Sequence, residues 1–423
     1  MRVLLPLVAA CVSLAAAPAQ LDGIARDYVR LTLEAGEREP GYVDAYYGPA
    51  EWAAAAKVKP RTVAELRGAA TALKARALAV ESRTLSPLDA RRRAALISQL
   101  TAAETRLAMN AGKKFGFAAE AEGLFSVRPV LRPLADYDAI LAEVATLLPG
   151  DGALWSRVDT FRARFVIPPA KVDAVMRAAT AECRRRTVAH IPLPVGEKFT
   201  LELVTGKPWS GYNYYKGNNT SLIQINTDLP IYIDRAVDLG CHEGYPGHHV
   251  YNVLIERELA KRRGWIEFTV YALYSPMSLL AEGSANYGID LALPPAERAA
   301  FETRVLYLLA GLDTADAPRF AALNAAIDRL GGARFTIARD YLDGRIDRAA
   351  AVALTQRYLL LSPARAEKSV KFTDTYRSYV INYGLGRDLV RAKVEAAGPG
   401  DATRWAAMAR LLSEPTTAAD LTR

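Results

Sequence analysis

Three of the chain's four histidines fall within the run Asp238-Leu-Gly-Cys-His242-Glu243-Gly-Tyr-Pro246-Gly247-His248-His249, and a proline and a glycine stand between them. Neutral imidazole is the commonest protein ligand for zinc, and a glutamate directly after the first histidine is where a metal-activated water finds its general base. In the helical motif H-E-x-x-H the two histidines lie at i and i+4, about 40° apart around a helix of 3.6 residues per turn. Here position i+4 is Pro246. His248, at i+6, would lie about 240° round a regular helix, and His249, at i+7, within about 20° of His242. Proline breaks the helical hydrogen-bond ladder and Gly247 admits dihedrals that other residues avoid, so Pro246-Gly247 reads as a local bulge. A bulge of two extra residues brings His248 to the face of His242. His248 is therefore the expected second ligand, with His249 as its rival or as a supporting group.

A zinc site that performs chemistry usually has three protein ligands and one open position. The candidate third ligand is Glu282, in the apolar stretch Ser275-Pro276-Met-Ser-Leu-Leu-Ala-Glu282-Gly-Ser-Ala-Asn286-Tyr287, which a proline opens as it often opens a helix. An uncompensated carboxylate there is costly, and a cation relieves the cost. Asn286 and Asp290 lie on the same side and are candidates to support it, Asn286 also as an alternative ligand.

These two segments resemble the DUF885 family of gluzincin-like zinc metallopeptidases. The family pattern H-E-x-x-P-G-H-H matches His242, Glu243, Pro246, Gly247, His248 and His249, and its later E-G-W-A-x-Y pattern matches Glu282, Gly283, Ala285 and Tyr287. The resemblance implies that His242, His248 and Glu282 bind Zn2+ and that Glu243 activates water. Ser284 stands where the family usually has tryptophan, Tyr251 where glutamine is frequent, and Ile289 where an acid is frequent, so substrate preference is not inherited with the motif. Gluzincin-like enzymes also take a phenol or imidazole from their C-terminal part to stabilise the oxyanion. In Arg377-Ser-Tyr379-Val-Ile-Asn-Tyr383 the first candidate is Tyr383 and the second Tyr379.

The expected fold is mainly α, a large helical gluzincin-like architecture with a small antiparallel sheet before the metal helix. Helical periodicity dominates from Leu21 to about Ala189, for example over Val63–Lys74 and Ala94–Leu107. Pro40 to Pro49 reads as a tyrosine-rich loop. Short β-like runs follow at Phe199–Val204, Tyr212–Tyr215 and Ser221–Ile225, and such a sheet is a candidate shelf for an extended peptide. The organisation expected is a signal peptide over 1–19, a helical scaffold over 20–190 and a metal-binding region over 191–423, the last two forming one continuous domain. The leader reading rests on Arg2, an apolar run and the Ala17-Pro18-Ala19 site before Gln20. Val8-Ala-Ala-Cys11 resembles a lipoprotein processing box, a secondary reading because the apolar run before it is short. The expected location is the bacterial periplasm or the extracellular space.

The 423 residues carry a net charge of +8. Arg91-Arg92-Arg93 reads as a solvated helix face, while Arg184-Arg185-Arg186 and Lys261-Arg262-Arg263 read as helix ends, where cations complement the dipole. None reads as a nucleic-acid site, and no later apolar stretch is long enough to span a membrane. After leader removal Cys183 and Cys241 remain, and with Cys241 next to a metal ligand two free thiols are expected. The function expected is peptide-bond hydrolysis, with a non-catalytic exported binding protein, or hydrolysis of another amide or ester, as alternatives. Oligomeric state is not legible.

Overall fold

A computed structural model describes residues 7–207 and 209–422, with side chains from residue 18 onward. The architecture is mainly helical, as expected. Its N-terminal part is built from α1 (Leu7–Arg38), β1 (Val43–Tyr46), α2 (Val63–Ala79) and α3 (Pro87–Asn110). The start of α2 follows from its sequence: Thr62 and Glu65 form a reciprocal capping box that satisfies two otherwise orphaned backbone donors. Ser86 caps α3 through the Asp89 amide, with Pro87 in the first turn. The expected leader lies partly outside the described residues, which begin at Leu7; from there the backbone is helical and continuous with the rest of α1.

Two readings of this region are corrected. Within the expected aromatic loop, Val43–Tyr46 forms a strand antiparallel to β5 (Val270–Ala272), because its backbone finds a partner far away in sequence. Arg92 is not on a solvated face: it is 1% exposed and ion-paired to Glu267 and Asp22, which supply the partners a buried guanidinium needs. By contrast, Arg185 and Arg186 do occupy the last turn of α4 (Val172–Val188).

After α4 come β2 (Lys198–Val204), β3 (Gly211–Tyr215) and β4 (Thr220–Asn226), close to the expected runs. The β3–β4 pair is antiparallel, and β2 joins the free edge of β4 in parallel, giving the order β2-β4-β3. The chain reverses twice between β2 and β4, so the two must run the same way once the tight β3–β4 turn has placed β3 on the other side. β3 is thus an edge strand.

The site-bearing helices follow: α5 (Asp234–Leu239), α6 (His248–Ile255), α7 (Pro276–Ala292), α8 (Ala333–Leu342) and α9 (Ile381–Glu395). One apolar core joins α1, α2 and α3 to β5 and to Leu279 of α7; a second takes in Ala45 and residues from Tyr137 to Leu421, holding α4, the sheet, α6 and Leu280 of α7. Helix α7 therefore touches both. Its crossing with α9 is unusually close, since a Cβ on Gly283 would lie 2.5 Å from the backbone of Gly386. That approach carries the start of α9 onto the face of α7 that bears Glu282. Among the described residues, no helix is long and apolar enough to cross a membrane.

Candidate metal centre

Helix α5 does not continue regularly into α6. Gly240–Gly244 forms a wider π-type turn, the Tyr245–Pro246 bond is cis, and helical geometry resumes at His248. Gly247 lies so close beneath the first turn that a Cβ would fall 1.8 Å from the carbonyl oxygen of His242, so only glycine fits. The insertion brings two histidines six residues apart together, their rings nearly perpendicular at 86° and their Nε2 atoms separated by 3.1 Å.

Glu282 completes the group. Its Oε2 lies 3.2 Å from Nε2 of His242 and 3.7 Å from Nε2 of His248. At metal–ligand distances of about 2.0–2.1 Å, neighbouring donors of a tetrahedral zinc site stand about 3.3 Å apart, so the three separations match one face of that tetrahedron. Oε2 is buried without a well-aligned hydrogen-bond donor, and two imidazole nitrogens at this spacing can both present lone pairs only to a cation. The donor set therefore fits a divalent metal by type, number and spacing. The other oxygen, Oε1, accepts a 2.8 Å hydrogen bond from Tyr379, which fixes the orientation of the carboxylate.

Glu243 is 4% exposed. Its carbonyl accepts from Asn213 Nδ2 of β3 at 2.7 Å, while its side-chain Oε2 is buried with no donor among the described residues. Burial, with the neighbouring charge of Glu282, raises its carboxyl above the usual range, against the pull of both histidines. For His248 burial works against the charge, but Glu282, Glu243 and Asp44 more than offset it and raise the imidazole to about 9. Glu282 is held well below the usual carboxylate range by the same histidines, although burial alone would raise it.

His249 faces elsewhere. It is fully buried, its Nδ1 meets Ser221 Oγ of β4 at 2.8 Å and its Nε2 meets Glu197 Oε2 at 2.9 Å. Both nitrogens are thus occupied by protein groups. Asn286 donates to the carbonyl of Glu282 and lines the cleft outside the three-donor cluster, while Asp290 pairs with Arg391. Tyr383 stacks beside His242, with ring centroids 6.3 Å apart. Burial, then the charges of Glu282 and Glu243, push its phenol well above the ordinary range, so it stays a proton donor.

The two cysteines are joined, which corrects the expectation of free thiols. Cys183 of α4 and Cys241 lie 5.4 Å apart at Cα and form a disulfide; Cys241, one residue before His242, points back into the core, away from the metal donors. The bond pins the π-type turn to α4.

The donors open onto a cleft of about 1530 Å³, lined on one side by β3 and on another by α8 and α9. Asp44 of β1, hidden in the aromatic segment, also lines it. Burial raises its carboxyl to about 6 even though it accepts a hydrogen bond from Tyr212. The tyrosines around the segment were legible; the acid among them was not.

No family model matches the chain, and no curated protein matches it in sequence. Among solved structures it is similar to one described as "the putative lipoprotein from Colwellia psychrerythraea", at a TM-score of 0.54 and 14% identity over 85% of this chain and 65% of that one. A second, an M32 carboxypeptidase from Deinococcus radiodurans R1, aligns at 14% identity and a TM-score of 0.36 over 93% of this chain and 89% of that one, a likeness too slight to carry an argument. This chain spans only 65% of the length of the Colwellia protein, with which it shares an overall fold.

Proposed function

We propose that this protein is an exported zinc-dependent metallopeptidase of the DUF885 type. The observation that carries the reading is the convergence of three candidate metal donors at tetrahedral spacing beside the buried carboxylate of Glu243, whose Oε2 has no donor among the described residues. His242, His248 and Glu282 would hold the ion, which when bound supplies a Lewis acid and an acidified water nucleophile. Glu243 takes the proton of that water at its free oxygen and returns it to the amine nitrogen that leaves. Tyr379 is committed to Glu282, so Tyr383 is the phenol free to donate to the oxygen that gains charge. The open edge of β3 begins at Gly211, against Glu243, and can align an extended peptide by main-chain hydrogen bonds. The disulfide supports export, since such bonds persist in oxidising compartments.

The test is turnover and zinc content of Glu243→Gln. A peptidase loses roughly 10²- to 10⁴-fold in kcat while keeping its metal. Unchanged hydrolysis of a peptide library by the variant would refute the assignment, and no hydrolysis by the zinc-loaded wild type would leave a binding protein.

A further inference from the structure

Among the described residues, the cleft holds one arginine whose charge no acidic or carbonyl group answers. Arg162 pairs with Asp234, Arg235 with Asp238, Arg387 with Asp328 and Arg391 with Asp290. The remaining arginines of the lining have an acidic or carbonyl partner as well. Arg334, in the first turn of α8, has no ion pair and no side-chain hydrogen bond among the described residues, although it lines the same cleft. Its helix packs closely on α9, since a Cβ on Gly384 would lie 2.3 Å from the ring of Phe335, and Arg334 and Tyr383, each next in sequence to one of these two, line the same cleft. The groups that act on Arg334 electrostatically are Tyr383 and a second cation, Arg235, and burial lowers its affinity for the proton. A half-buried guanidinium next to another cation gains most from a bound anion, and its planar fork fits a carboxylate.

We propose that Arg334 anchors the C-terminal carboxylate of a peptide substrate, which makes the enzyme a carboxypeptidase. The inference rests on the peptidase reading above. If Tyr383 serves the scissile carbonyl, Arg334, which lines the same cleft and acts on that phenol electrostatically, faces the part of the substrate close to that bond. An extended chain advances roughly 3.3–3.6 Å per residue, so the terminal carboxylate of a departing amino acid is the anion that any unblocked peptide brings nearest to the scissile bond.

The experiment is calorimetric titration of the zinc-supplemented Glu243→Gln protein, which reads binding without turnover. The probes are N-acetyl-tetraalanine as the free acid, its C-terminal amide, and N-acetyl-Ala-Ala-Glu-Ala amide, whose carboxylate is on a side chain. The free acid should bind about ten- to a hundredfold tighter than either amide, the range of a charge-assisted bidentate pair. Adding Arg334→Gln should erase the difference, and Arg334→Lys, which keeps the charge, should restore part of it. Equal binding of acid and amide by the parent would overturn the proposal, as would a preference that survives Arg334→Gln. The glutamyl amide binding as tightly as the free acid would overturn the C-terminal assignment. Hydrolysis of both tetraalanine forms at equal rates by wild type would sink the proposal and leave the peptidase reading intact, whereas absence of any hydrolysis counts against that reading while the binding data still decide the role of Arg334.

Discussion

His248 and His249 are neighbours in sequence and stand in opposite kinds of polar site. Around His248 the site is incomplete in its own terms: Oε2 of Glu282 and Oε2 of Glu243 are buried without a well-aligned hydrogen-bond donor among the described residues. Around His249 every polar group is answered, because Glu197 takes hydrogen bonds from His249, Tyr245 and Arg184, and Ser221 meets the other ring nitrogen. Fully satisfied buried networks hold a fold together, whereas an unsatisfied group costs stability and persists where function needs it. The two sides of one kinked segment thus differ, one leaving buried oxygens unanswered and the other keeping the kink in place.

The largest expected effect falls on what both sides share. Replacing Cys183 and Cys241 together by serine frees a loop with a sequence separation of 58, which chain entropy alone puts at about 4 kcal/mol. Denaturant unfolding should show that loss, and weaker zinc retention should accompany it. Retention of both would mean that the π-type turn holds without its tie to α4.

The contrast itself sharpens with a pair of isosteric changes. Burial works to raise the Glu197 carboxyl, but His249, Tyr245 and Arg184 hold it down at about 2, against 4.5 for the free group. That difference is worth roughly 3 kcal/mol at neutral pH. Glu197→Gln should lose about that much, while Glu243→Gln should leave the unfolding free energy of the metal-free protein unchanged or higher. Equal losses in the two variants would break the comparison. The same shift sets an acid limit. A carboxylate whose folded pKa is depressed contributes above its unfolded value, so this contribution is complete above about 4.5 and falls away as the pH drops towards about 2. In Glu197→Gln that part of the acid dependence should vanish from stability measured against pH.

The smallest effect concerns the hydrogen bond that reaches Glu282, a candidate metal donor, from behind. Tyr379→Phe removes the donor on Oε1 of Glu282 and should weaken zinc affinity about 10- to 100-fold with little change in melting temperature. A chelator competition titration measures it, and unchanged affinity would mean that Glu282 is oriented by α7 alone.

How legible this was depended on where the partners lay. The donors His242 and His248 sit in one short segment, and the proline and glycine between them announce the bulge that brings them together. Glu282 stood out as an acid in an apolar helix, and the apolar spacing over Val63–Lys74 marked the body of α2. Groups answered from far along the chain were not legible. The partner of His249 is 52 residues away, and that of Arg92 is 175 residues away, so a run of arginines looked like solvent-facing charge. Cys183 and Cys241 were read as thiols because one adjoins a metal ligand, yet neighbouring side chains on a helix point about 100° apart, which leaves room for both. Arg334 carries no motif at all; its meaning lies in having no side-chain partner among the described residues, which only the fold reveals.

The central claim is that the kink presents His248 to the metal and turns His249 into the core. It is tested most directly by zinc content, after dialysis against apo buffer, of wild type, His248→Ala and His249→Ala. The account predicts about one zinc per chain in wild type, the count of a mononuclear site. It predicts none in His248→Ala, and near-wild-type content in folded His249→Ala despite its lower stability. Zinc retained by His248→Ala and lost from a folded His249→Ala would contradict it.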